Sequence, residues 1–338
     1  MSRGLHGKGD IVILLQSCCN KKSAPPASAF ARQRHNWTGP PEMPTTTLLI
    51  VYCLLILLAS LAGGLIPLLV RLTHTRLQLA MSFVSGAMLG VGLLHLLPHA
   101  YFEFGAIYPP VWWLTGGFLF MFFVERVFHF HHHDAPAEVE AHEDHDHAQD
   151  HAGHAHSHEH VHAERPLSWG AALAGLTLHS TLDGIALAAS VAAESAEAGH
   201  AKWAGLVVFL VVFLHKPFDS MTLGTLMAVA GRSAKLRHLV NGLYALAIPL
   251  GVVLFYLGAG ASGVDQHQIV GAALAFAAGT FLCISTSDLL PELQFHSHDR
   301  FKLSAALLLG LALAAGIVML EERQHQHGSP AERHEHDK

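Results

Sequence analysis

The chain has 338 residues, 51% of them hydrophobic and only 14% charged, with a mean hydropathy of +0.36. That balance excludes a soluble multidomain protein and fits a polytopic membrane protein. The formal net charge of −6 decides little, because the charges sit mainly in loops and tails, whereas the 29 His are the compositional outlier. The four Cys (Cys18, Cys19, Cys53, Cys283) form neither a disulfide framework nor a Cys-x-x-Cys zinc pattern.

Residues 1–43 are polar, basic and Pro-containing, and their short apolar stretch Ile11–Leu15 is too brief for a signal peptide. They read as a disordered N-terminal arm, foreign to the rest of the chain. Eight apolar segments come next, at about 46–70, 77–98, 109–128, 169–194, 203–229, 238–260, 267–290 and 303–320. They define a spanning domain over 44–320, interrupted by a His-rich loop at 129–164 and followed by a His-rich tail at 321–338. The loops after the first, third, fifth and seventh segments carry the Arg and Lys residues, among them Arg71, Arg126, Arg232 and Arg300, while the alternate loops contain only Lys202. The positive-inside rule then places the His-rich loop in the cytoplasm and both termini outside. The loop cannot form a core. From His154 to His162 every second residue is His, a pattern that binds Zn²⁺ or Ni²⁺ loosely at interchangeable positions.

The second segment contains Gly86–His99 and the seventh contains Gly279–Glu292, which align without gaps. Gly86 matches Gly279, Met88 matches Phe281, His95 matches Asp288, Leu96-Leu97-Pro98 matches Leu289-Leu290-Pro291, and His99 matches Glu292. With the two segments running in opposite directions, this is an inverted repeat of the kind found in carriers whose substrate site lies between the repeats. The fourth segment carries His179 and Asp183 and the fifth carries His215 and Asp219, each His preceding its Asp by four residues. That spacing puts both side chains on one helix face. An imidazole and a carboxylate at mid-membrane depth are expensive unless something polar lies between them, so two such pairs read as a four-ligand site for a divalent cation. Met88 lies seven residues before His95, ~10 Å deeper on the same helix face, at a depth that suits a thioether joining the central site. His95 and His99 would receive metal from outside, and Asp288 and Glu292 would pass it inside.

These features resemble the ZIP family of divalent-metal transporters (Zrt- and Irt-like proteins) over roughly residues 44–320. The resemblance rests on the eight segments, the His-rich loop, HSTLDG at 179–184, HKPFDS at 215–220 and HLLPH at 95–99. Fifth segments of the family typically read His-Glu-x-Pro-x-Glu. Here Lys216 stands where many members have an acid, and Pro217 comes one place early. The resemblance implies an all-α polytopic membrane protein, an eight-helix transmembrane bundle with inverted repeats, moving metal into the cytoplasm across a plasma (inner) membrane. An ammonium beside a divalent ion is repulsive, so Lys216 is expected to block a second metal, or to pair with a carboxylate until metal arrives.

Imidazole and carboxylate ligands suit Zn²⁺ and also Fe²⁺, Co²⁺ or Cd²⁺ as transported substrate. No prosthetic group, nucleic-acid partner or catalytic residue is expected. The expected partners are the metal ions and the lipid bilayer, with a homodimer as one open assembly. The nearest rival, a cation diffusion facilitator exporting zinc against protons, has six segments with the pairs on the second and fifth. An intramembrane metalloprotease would need His-Glu-x-x-His within a span, and none of the eight apolar segments contains it, while a membrane-anchored metal buffer would not need eight spans.

Overall fold

Apolar segments this long bury their backbone polar groups by coiling into helices. The computed structural model describes residues 43–65, 73–128, 169–195, 203–295 and 300–328, all within one compact unit, Pro41–Lys338. Residues 1–42, the His-rich loop and residues 329–338 lie outside the described residues. The helices are α1 (Met43–Gly63), α2 (His74–Val91), α3 (Leu97–Phe104), α4 (Tyr108–Phe128), α5 (Trp169–Ser195), α6 (Leu206–Val229), α7 (Ala234–Tyr244), α8 (Ala247–Ala261), α9 (Gln266–Phe295) and α10 (Arg300–Gly328). Among the described residues there is no strand, and the fold is an all-α polytopic membrane bundle.

Among the described residues seven spans are long and apolar enough to cross a membrane, with α2–α3 and α7–α8 each acting as one. The 21-residue α4 has the length of an eighth, since 21 residues rise ~31 Å. It opens with Tyr108, Trp112 and Trp113 exposed, as aromatic residues at a membrane interface are.

The second span does not end at Pro98, where its apolar run was expected to stop. A π-helical turn, Gly92–Leu96, joins α2 to α3, and Pro98 falls in the first turn of α3, where a missing N–H costs little. Gly105, at φ 64°, then closes α3 with its N–H on the Tyr101 carbonyl at 2.9 Å. The last helix also outruns its segment: α10 continues to Gly328, eight residues into the tail.

Four inner spans form the core. The apolar windows of α2–α3, α5, α6 and α9 are 56–61% buried, against 22–39% for α1, α7–α8 and α10. Each outer helix lies along one inner helix: α1 on α6, α8 on α5, α10 on α2 and α4 on α9. Exchanging the first three spans with the last three, and the fourth with the fifth, converts the α1–α6 pair into α8–α5 and the α10–α2 pair into α4–α9. The pairing therefore obeys the inverted repeat.

Reciprocal glycines make these contacts close. A Cβ on Gly86 would strike the Leu307 carbonyl, three residues before Gly310, and a Cβ on Gly310 would strike the Phe83 carbonyl, three residues before Gly86. Gly117 and Gly279 meet in the same register on α4 and α9, and so do Gly184 and Gly251 on α5 and α8. Small residues let helix backbones touch where lipid supplies no hydrophobic drive between them.

Gly310→Val should therefore force α10 off α2 and destabilise the protein by at least ~1–3 kcal/mol. Gly316→Val, on the same helix with open space around it, should be neutral. Melting curves of the two variants in detergent check this; equal midpoints would refute the close-packing account.

Candidate metal site

α5 and α6 run side by side through the core and bring their two pairs together. His215 Nε2 lies 3.2 Å from Asp183 Oδ2, and His179 Nε2 lies 3.4 Å from the same oxygen. Asp219 Oδ2 stands further off, 3.8 Å from His179 Nε2 and 4.0 Å from His215 Nε2. A tetrahedral ion with bonds of ~2.0–2.2 Å separates its ligand atoms by ~3.3–3.6 Å, inside the observed spread. All four side chains are buried.

Hydrogen bonding leaves this cluster short of one cation. His215 Nδ1 must donate to the Val211 carbonyl, 2.8 Å away, because a carbonyl only accepts. The neutral ring then presents a bare Nε2 lone pair to the Asp183 carboxylate. Two lone pairs at 3.2 Å repel unless a proton or a metal lies between them. Among the described residues nothing bonds the buried His179 Nδ1 or Asp183 Oδ1. The donor set thus fits a divalent metal and is poorly served without one.

Lys216 is fully buried and its three N–H bonds are all used. Nζ donates to Tyr244 OH at 2.8 Å, to Asp219 Oδ2 at 3.5 Å and to Ser180 Oγ. Tyr244 OH also donates to Asp219 Oδ2 at 3.2 Å. The expected pairing of Lys216 with a carboxylate is present, and it draws on Asp219, the ligand that stands furthest out. Tyr244 and Ser180 were not singled out in the sequence. A Tyr at the break between α7 and α8 has no periodic signal of its own.

A cavity of about 50 Å³ adjoins the pair residues and is lined by His179, His215, Asp219 and the buried Met88, with Met81, Glu125 and Ser287 among its further walls. Glu125 accepts from Ser287 Oγ at 3.0 Å. Apart from His215, which lies near mid-helix, the lining residues lie on the halves of their helices next to the Arg/Lys-bearing loops. Asp288 and Glu292 have helical backbone within α9, while their side chains lie outside the described residues. At the opposite end of the bundle His95 and His99 come together with Glu194, an acid the sequence reading passed over because it stands alone at the end of α5.

A membrane bundle with paired imidazoles and carboxylates buried between two inner helices belongs to the class of polytopic metal-handling membrane proteins. The family model for the ZIP zinc transporters matches residues 46–318, and the chain belongs to that family. Zinc transporter ZIP9-B of Xenopus laevis is 32% identical over 165 residues, covering 45% of this chain and 52% of the relative. Zinc transporter ZIP9 of Macaca fascicularis is 30% identical over 165 residues, covering 45% and 67%. The chain thus spans about half the length of the first of these relatives.

Replacing Lys216 by Met should leave Asp219 buried without its cation and cost ~3–5 kcal/mol of stability. The exposed Lys235→Met is the control. Thermal unfolding of both in detergent decides; a K216M protein as stable as K235M would show that Lys216 is not a paired charge.

Proposed function

We propose that this chain carries a divalent transition-metal cation into the cytoplasm by alternating access through one site, His179, Asp183, His215 and Asp219, with Met88 at its edge. The observation that carries this reading is the meeting of two carboxylates and two imidazoles at 3.2–4.0 Å between inner helices. Relatives named as zinc transporters favour Zn²⁺ as the substrate, and the same donors accept Fe²⁺, Co²⁺ or Cd²⁺.

The inward direction rests on the family resemblance, and two features are consistent with it. The Arg/Lys asymmetry of the loops supports an orientation with the cavity on the cytoplasmic half and both termini outside, and the membrane we propose is a plasma (inner) one. On the other half the turns of α5 beyond Asp183 carry Leu187 and Val191, both fully buried in the main apolar cluster. The conformation is then the one that releases metal inward, and rocking of α2 and α9 against α5 and α6 exposes the site outward. His95 and His99 stand on the intake side, and Asp288 and Glu292 on the release side.

The charge count supports one ion at a time. Lys216 already supplies one positive charge to Asp219, so a second divalent ion there meets an ammonium. As metal binds, Asp219 turns toward it and the ammonium stays with Ser180 and Tyr244. Metal at His215 Nε2 takes the place of the proton that faces Asp183 in the metal-free site, so protons and metal compete.

Asp183→Ala and Asp219→Ala should each abolish zinc uptake into proteoliposomes while insertion stays intact. Undiminished uptake by both variants would falsify the central-site reading. Uptake should also fall as the medium is acidified from about pH 8 to about pH 5, because protons compete with metal for the imidazole nitrogens. Initial rates measured across that range with the membrane potential clamped check the sign; rates that rise with acidity would point to proton co-transport instead.

A further inference from the structure

His95, on the π-helical turn, places Nε2 3.2 Å from Glu194 Oε1. With His99 they offer three ligand atoms within 4.8 Å of one another. Insertions of this kind in a helix re-aim side chains and recur at functional positions. His99 Nδ1 donates to the carbonyl of His95, four residues back, at 2.8 Å. His215 of the central pair is tethered in the same way to Val211. In both, the tether fixes the tautomer that leaves Nε2 free to bind a cation.

Glu194 is 3% exposed, and its partners among the described residues are Ser190 Oγ at 2.6 Å, the Gly205 amide at 2.8 Å and His95. None carries a permanent charge, in contrast to Asp219 with Lys216. Gly205 sits at φ 73°, a conformation that suits glycine and that points its amide at the carboxylate. The protein therefore builds a shell that orients this acid and leaves its charge to be met by something else. Glu194 also stands eleven residues, three helical turns, beyond Asp183 on the same face of α5, ~16 Å away.

We propose that His95, His99 and Glu194 form a second site for a divalent transition metal, outer to the central one and separated from it by the Leu187–Val191 layer, in which the ion waits until that layer opens. This rests on the transport function proposed for the central site. One face of α5 then holds both stations, and the ion steps from Glu194 to Asp183.

The test is anomalous diffraction at the zinc edge from crystals of the full chain grown with Zn²⁺, as the unaltered protein, Asp183→Asn and His99→Gln. The expected result is a peak bounded by His95, His99 and Glu194 that persists in D183N, where the central peak is lost, and disappears in H99Q. A central peak with none at the outer position overturns this inference and leaves the transport reading standing. An outer peak with no central peak in the unaltered protein keeps the His95–His99–Glu194 site but overturns the central one, and with it the role of waiting station. Uptake supplies a second readout. His99 is half-buried and its Nδ1 bonds back to its own helix, so H99Q should fold, and its KM for zinc should rise ~10-fold with a smaller change in kcat. An unchanged KM would count against the outer site as a station on the path.

Discussion

The constraint on which the rest of this structure depends is the cost of holding carboxylates inside a bilayer. Asp183, Asp219 and Glu194 are all buried, and each must meet positive charge or strong donors. Asp219 has Lys216 and Tyr244. Asp183 has two imidazoles, one of which has already committed its Nδ1 proton to a carbonyl. Glu194 has a hydroxyl, a backbone amide and an imidazole. The charge left over is of the sign and place that a divalent cation would neutralise.

The bundle is arranged to make that possible. The paired carboxylates and imidazoles lie on the inner spans, and the outer helices shield them from lipid. The shield has to lie close, and the reciprocal glycines of α2–α10, α4–α9 and α5–α8 let backbone pack on backbone. Gly184, next in sequence to Asp183, presses on α8 while its neighbour faces the site. One turn of α5 therefore fixes the ligand and packs the wall behind it.

Much of this was legible in the sequence, for physical reasons. Apolar length announces a span, and a four-residue spacing announces a shared helix face, so His179, Asp183, His215 and Asp219 were readable before any fold was known. The repeat between Gly86–His99 and Gly279–Glu292 was equally readable, because an inverted repeat leaves its mark on local sequence. Glu194, Tyr244 and Glu125 were not. Each stands alone in its segment, and its role depends on partners 25 or more residues away, as with Tyr244 and Asp219, or on a loop glycine such as Gly205. The end of the second span was misplaced for a related reason. Pro98 reads locally as a stop, and only the π turn before it shows how the helix passes through.

The inverted repeat and the single conformation of the bundle pull in opposite directions, and that tension is informative. The pairing of helices obeys the repeat: α10 lies on α2 as α4 lies on α9. The chemistry does not. His95 and His99 on one repeat correspond in sequence to Asp288 and Glu292 on the other, imidazoles matched to carboxylates. The cavity likewise lies on one side only, with Met81, Glu125 and Ser287 around it and the Leu187–Val191 layer closing the far side. A backbone built from an inverted repeat can take up two states related by a two-fold axis in the membrane plane. On the alternating access proposed above, side chains that break the symmetry would choose which state is stable when the site is empty, and a bound ion, by drawing Asp219 from Lys216, would change that choice.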